Sequence, residues 1–177
     1  MDVYCVFGGP IDQNAIQRFF RTLPTVTEQP DTHVHLLLQT VGGYVGDGVC
    51  LYNVFRRFPY PLTIYNVGNI SSIGVIAYLG AAERKATSNA TFMLHRSTMH
   101  TEMPTAGRLR AAVKTLEIDD CRTETILREH LKFGDAEWRN LDRTDVTLSA
   151  EEAVAVGLVH EIADFMPPKG ATLHPIV

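Results

Sequence analysis

The sequence predicts an α/β fold made of repeated βαβ units around a mainly parallel sheet, with one long helix protruding from it. Three observations carry this. Short apolar strand-like runs alternate with helix-period segments from the N-terminus to about residue 95. One run, Leu36-Leu37-Leu38, is continuous rather than alternating, as in a strand covered on both faces. Glycines stand where two of the strands hand over to helices.

Taken in order, Val3 to Phe7 is the first strand, stopped by Gly8-Gly9-Pro10. Asp12 can cap a helix that carries Ile16, Phe19, Phe20 and Leu23 on one side, and Pro24 followed by Glu28-Gln29-Pro30-Asp31 breaks it. His33 to Thr40 is the second strand, ended by Val41-Gly42-Gly43, and a helix from about Val45 to Phe58 follows. Pro61 to Val67 is a third strand, Gly68-Asn69-Ile70 a tight connection, and Ser71 to Ala82 an apolar helix. After a polar stretch from Glu83 to Thr91, Phe92 to Leu94 is another buried strand. Such alternation favours right-handed crossovers.

From Thr105 to Lys132 the chain is long, charged and helix-favouring, ended by Gly134. Leu109, Val113, Leu116, Leu127 and Leu131 give it a narrow apolar stripe, suited to packing on another element or subunit. A short helix around Ala136 to Leu141 comes next. Ser149 and Glu152 then form a capping box for a helix that ends at Gly157, before a last strand from Leu158 to Ile162. Pro167 to Gly170 reads as a loosely ordered tail. No repeat, low-complexity tract or linker divides residues 1–177, so one domain is expected.

Composition excludes several classes. A net charge of -4 argues against a nucleic-acid surface, which needs clustered Lys and Arg. No apolar window reaches the 18 or so residues of a membrane helix, and no secretory signal is visible. Cys5, Cys50 and Cys121 are scattered and odd in number, each in a segment that reads as buried, which suits reduced core thiols in a cytoplasmic protein.

Three places hold candidate chemistry. Gly42-Gly43 follows a buried strand, where paired glycines can present backbone N–H groups to a ligand or simply make a turn. Ser71-Ser72 opens a helix, where unpaired N–H groups favour developing negative charge; either serine equally suits a helix cap. His95 ends an apolar strand, the place where open α/β sheets put their sites, although a lone histidine there also fits a structural role. His33 and His35 share one strand face with no third ligand near in sequence, so they read as a solvated edge, and neither a metal nor an organic cofactor is expected.

The order and spacing of these places resemble the Clp protease proteolytic subunits, within the superfamily that also contains the crotonases. GGYVGDGVCLYNVFRRFPYPLTIYNVGNISSIG is similar to that family's stretch from its Gly-Gly turn to its nucleophile, and Gly42 to Ser72 aligns without a gap. Gly68, Ser72, Ile73 and Gly74 fall on the nucleophile motif, and Met93-Leu94-His95 on the segment carrying the base. Arg143-Thr144-Asp145 through Ala153, continued by Gly157-Leu158-Val159, resembles the catalytic-aspartate segment. The likeness runs from about Val3 to Ile162.

The resemblance implies a serine endopeptidase with Ser72, His95 and Asp145 as a catalytic triad and Ser71 as the competing nucleophile. The N–H groups of Gly43 and Ile73 would form the oxyanion hole, and an extended substrate would lie beside Gly42, Gly43 and Tyr44. It implies homo-oligomeric rings, a heptamer or double heptamer, with a handle at about residues 97–134, acting on peptides or unfolded proteins. A AAA+ unfoldase is a possible partner. The chain departs from the family pattern in the short segment ahead of Val3, in Arg143-Thr144 before Asp145, and in Val41 and Arg96-Ser97 beside the site. A catalytically silent ring partner and a crotonase-type acyl-CoA enzyme are the alternatives from other classes.

Overall fold

The computed structural model describes residues 1–99 and 105–177. Strands β1 (Asp2–Gly8), β2 (His33–Thr40), β3 (Leu62–Ser71) and β4 (Glu83–Ala86) alternate with helices α1 (Gln13–Val26), α2 (Val45–Arg56) and α3 (Ile73–Leu79). Then come β5 (Thr91–Leu94), the long helix α4 (Ala106–His130), α5 (Asp135–Leu141), β6 (Val146–Ser149), α6 (Ala150–Ala155), β7 (Glu161–Ile162) and β8 (Leu173–Pro175). The sheet runs β6-β5-β3-β2-β1-β8, with β4 on β3 and β7 on β4. Every pairing is parallel except that of β5 with β6. The expected mainly parallel α/β architecture is therefore the observed one.

Alternation along the strands builds the core. Val3, Cys5 and Phe7 of β1 and Val34, Leu36 and Leu38 of β2 point to one face, against Ala15, Ile16, Phe19 and Leu23 of α1. Asp12 caps α1 by accepting from the Ala15 N–H at 2.8 Å, as its position suggested. The helix does not break at Pro24 but continues to Val26, where the Thr27 hydroxyl closes it by donating to Leu23 O. The capping box at Ser149 and Glu152 is present in full.

Four expectations need correction. Gly68-Asn69-Ile70 is not a tight connection but the second half of β3, which bulges there. Leu38 pairs with Asn66 and Thr40 with Ile70, so β3 spends four residues where β2 spends two. Asn66 holds the bulge by accepting from the Gly68 N–H and donating to Thr91 O. Secondly, the polar stretch after residue 83 contains β4: buried Arg84 donates to Leu158 O, Ala81 O and Gly157 O, and Lys85 pairs with Glu161 at 2.7 Å. Thirdly, the last apolar segment forms only the short β7, while β8, beyond the tail at Pro167–Gly170, docks on β1. Finally, Cys5 is buried, but Cys50 is half-buried and Cys121 exposed; all three are free thiols.

The long helix is capped by Thr105, which accepts from the Arg108 N–H. Of the region expected to form a handle, residues 100–104 lie outside the described residues. No described helix is long and apolar enough to cross a membrane.

Candidate active site

The parallel strands deliver Gly42-Gly43, Ser72 and His95 to one end of the sheet, beyond the carboxyl ends of β2, β3 and β5. Ser72 sits between β3 and α3 with φ 57° and ψ -131°, one of two non-glycine residues of positive φ among the described residues. Such a backbone is strained by about 1–3 kcal/mol. It persists because neighbours on both sides are fixed: the Ser72 N–H donates to Met93 O at 2.7 Å, and Ile73 through Leu79 are all buried. A strained strand-to-helix turn of this kind lifts a serine hydroxyl clear of the sheet.

The Ser72 Oγ lies 2.7 Å from His95 Nε2, within ordinary hydrogen-bonding distance. Both side chains are half-buried. Because Ser72 is tied to Met93, two residues before His95, the pair is held by the pairing of β3 with β5. Ser71, the competing serine, is 5% exposed, and its hydroxyl is engaged with Asn69 at 2.9 and 3.1 Å.

Gly42 and Gly43 meet the serine from the other side, with φ of 93° and 157°. A Cβ on Gly42 would fall 2.7 Å from Ser72 Cβ and 3.2 Å from its Oγ. One on Gly43 would fall 2.0 Å from Ile11 O. The Ile11 N–H donates to Gly42 O and the Tyr44 N–H to Ile11 O, which pins the turn to the segment between β1 and α1. Among the described residues neither the Gly43 nor the Ile73 N–H has a hydrogen-bond acceptor. Both residues line a cleft of about 90 Å³ with Ser72, His95, Ile76, Leu94 and, from α4, Leu127. Tyr44 and Val41, which flank the glycine pair in the chain, are 72% and 71% exposed.

Asp145 is placed differently. Antiparallel pairing of β5 with β6 ends at Leu94 opposite Val146, so the next step along each strand sets His95 across from Asp145. The Asp145 carboxylate is nevertheless exposed, and no hydrogen bond or ion pair within 4.0 Å joins it to His95. The structure thus brings Ser72, His95, Gly43 and Ile73 together and leaves Asp145 without a hydrogen bond to the group.

Arg96, noted in the sequence only as a departure beside the site, has partners that the sequence did not reveal. Its guanidinium bonds Asp142, three residues ahead of Asp145, and Glu124 of α4 at 2.7 Å. Glu124 is shared with Arg128 at 2.6 Å. Burial alone would raise the Glu124 pKa, but hydrogen bonds from Arg128 and Arg96 outweigh it and hold the carboxyl below its usual range. The Ser97 N–H adds a bond to Asp120 of α4 at 2.8 Å. The segment carrying the histidine is thereby tied both to α4 and to the loop that carries Asp145. An arginine directly after a candidate base was the available signal.

His33 and His35 are also not where the sequence put them. β2 is an interior strand, between β1 and β3, and both rings are partly buried rather than lying on a solvated edge. The structure brings Asp2 of β1 to them.

The family model described as Clp protease matches residues 2–165. Over 165 residues the chain is 24% identical to the ATP-dependent Clp protease proteolytic subunit 2 of Pseudomonas aeruginosa, covering 87% of this chain and 77% of that protein. Its fold is similar to that of an Asn-to-Asp mutant of ClpP1 from Listeria monocytogenes, with a TM-score of 0.77 and 21% identity over 93% of this chain and 91% of the other.

Proposed function

The chain belongs to the Clp protease family of serine peptidases, and from that premise we propose that it is itself an endopeptidase with Ser72 as nucleophile and His95 as general base. The observation that carries this reading is the 2.7 Å approach of His95 Nε2 to the hydroxyl of a serine held at positive φ. A serine needs a base within such reach to attack a carbonyl at neutral pH. The alternatives, a silent ring partner and an acyl-CoA enzyme, give no reason for a strained serine to face a histidine across an open cleft.

In the proposed reaction Ser72 Oγ attacks the scissile carbonyl as His95 accepts its proton, and His95 later returns the proton to the leaving amine. The Gly43 and Ile73 N–H groups, which lack acceptors among the described residues, stabilise the oxyanion, at about 3 kcal/mol per donor in comparable sites. Asp145 orients His95 through Nδ1 once the ends of β5 and β6 close on each other, one register step beyond Leu94 and Val146. The substrate lies as an extended strand along Gly42, Gly43 and Tyr44, where main-chain pairing tolerates many sequences. Neither metal nor organic cofactor enters this chemistry.

Homo-oligomeric rings, a heptamer or a stacked pair, are proposed as the working form, with α4 as part of the contact. Leu109, Val113 and Ile118 on α4 are about half exposed and await a partner surface. Peptides and unfolded proteins are the substrates the family suggests, and a AAA+ unfoldase a possible partner.

The test is hydrolysis of short fluorogenic peptides by the wild type and by Ser72→Ala, His95→Ala and Asp145→Asn. Loss of roughly 10⁶-fold in kcat for Ser72→Ala and about 10⁴-fold for Asp145→Asn is expected. Turnover by Ser72→Ala equal to wild type would sink the proposal. Full activity of Asp145→Asn would reduce the triad to a Ser-His pair.

A further inference from the structure

The opposite end of the sheet carries a second cluster. Asp2 of β1 pairs in register with His33 of β2, and His33 and His35 lie on the same face of β2, two residues apart. Val34, Leu36 and Leu38 fill the core, so the two histidines point to the other sheet face. Their rings stack with centroids 4.2 Å apart, and Tyr4 stacks on His35 at 5.0 Å.

Each imidazole has one nitrogen fixed by a neutral hydroxyl. His33 Nε2 lies 2.8 Å from Thr63 Oγ1, and His35 Nδ1 lies 3.0 Å from Tyr65 Oη. That leaves His33 Nδ1 and His35 Nε2 as the open donors. The Asp2 carboxylate stands 3.5 Å from His35 Nε2, beyond a normal hydrogen bond, and that nitrogen is buried with no partner. A cation between them would engage both the unpartnered nitrogen and the carboxylate.

We propose that Asp2, His33 and His35 bind one divalent transition cation, with zinc the best match. Two imidazole nitrogens and one carboxylate oxygen are a common zinc ligand set, and solvent can take a fourth position. One donor atom from each residue lies within 4.8 Å of the other two, and among the described residues this is the one such trio. Zinc bonds of about 2.0–2.2 Å require these atoms to draw closer. Asp2, exposed and able to rotate, is the ligand that moves. Thr63 and Tyr65 are the outer partners that orient the rings, as such hydroxyls do in metal sites.

The site lies at the amino ends of β1 and β2, whereas Ser72 and His95 lie past the carboxyl ends. At about 3.3 Å per residue, the length of β2 alone separates them by roughly 20 Å. The ion therefore takes no part in acyl transfer. It clamps the start of β1 to β2 and stabilises the sheet at that end.

The experiment is calorimetric titration of zinc chloride into untagged, chelator-treated full-length protein, paired with thermal unfolding and with the absorption spectrum of the cobalt-substituted protein. One ion per chain, a rise in Tm and a tetrahedral cobalt spectrum are expected. His35→Ala and the exposed Asp2→Asn, which disturbs no packing, should each weaken binding by more than about tenfold, and Tyr65→Phe by about tenfold. His174→Ala, on β8, should leave it unchanged. Absence of uptake by the folded wild type overturns the proposal, as does zinc binding that survives in both Asp2→Asn and His35→Ala.

Discussion

Ser72 holds its hydroxyl against His95 at the expense of an unfavourable backbone, and that strain is itself measurable. Ser72→Gly should raise stability by about 1 kcal/mol, a Tm increase of roughly 2–4 °C in a chain of this size, while abolishing hydrolysis. A lower Tm would mean that the serine is not strained. Gly42→Ala acts in the opposite sense. Its Cβ would meet Ser72 Cβ at 2.7 Å in a left-handed backbone, so both Tm and kcat should fall, kcat by about 10²-fold or more. Unchanged kinetics in Gly42→Ala would contradict the close approach. Gly42, Gly43, Ser72 and His95 could be picked out as candidates because each stands where a strand or helix was expected to begin or end, and because their order and spacing resemble the family's. The company of Asp2 with His33 and His35 could not, since it depends on the parallel register of two strands separated by a whole helix.

Elements decide how the pieces are held. Long periodic segments such as α1, α2 and α4 could be read from sequence, because burying one face outweighs local detail; even Pro24 is absorbed in the last turn of α1. β4 and β6 could not. The first is charged, with Arg84 satisfied only by carbonyls from distant residues, and the second is four residues long, made regular by its pairing with β5. Arg96 joins three elements, and its removal frees the loop ahead of Asp145 from α4. Arg96→Ala should lower kcat about tenfold with KM little changed, the signature of lost positioning rather than lost binding; equal kcat would make the ion pairs incidental. The C-terminus of α4 also sets a pH dependence. His130, within 3.2 Å of the Tyr52 hydroxyl, has its pKa lowered from 6.5 by burial and then by Arg84, Arg56 and His160, against the pull of Glu129. His160 is lowered too, by burial and Arg84, although Glu83 opposes this. Both groups bind protons more readily when unfolded. Their contribution is therefore complete above pH 6.5 and is lost as pH falls below it. Urea unfolding from pH 7.5 to 5 should show this decline, reduced in His130→Gln; an identical slope in the variant would contradict it.

At the scale of the whole molecule, α4 is the least buried long element, with Ile126 and Leu127 its buried residues. Leu109, Val113 and Ile118 gain burial only from another surface, which is where the proposed ring contact belongs. Val113→Glu with Ile118→Glu should shift the sedimenting species to smaller mass, with the fold kept by circular dichroism and peptide hydrolysis reduced. A wild type that sediments as a monomer while hydrolysing peptides at full rate would contradict the ring. The sheet thus has two differentiated ends, the proposed peptidase site past the carboxyl ends of its strands and a candidate cation clamp at the amino ends.

Whether Ser72 is an activated nucleophile is read by reaction of the wild type with a fluorophosphonate probe, followed by mapping of the modified residue by mass spectrometry. A single adduct on Ser72 is expected, lost in Ser72→Ala and in His95→Ala and retained in Ser71→Ala. An adduct on Ser71, or none on a correctly folded and assembled wild type, would contradict it.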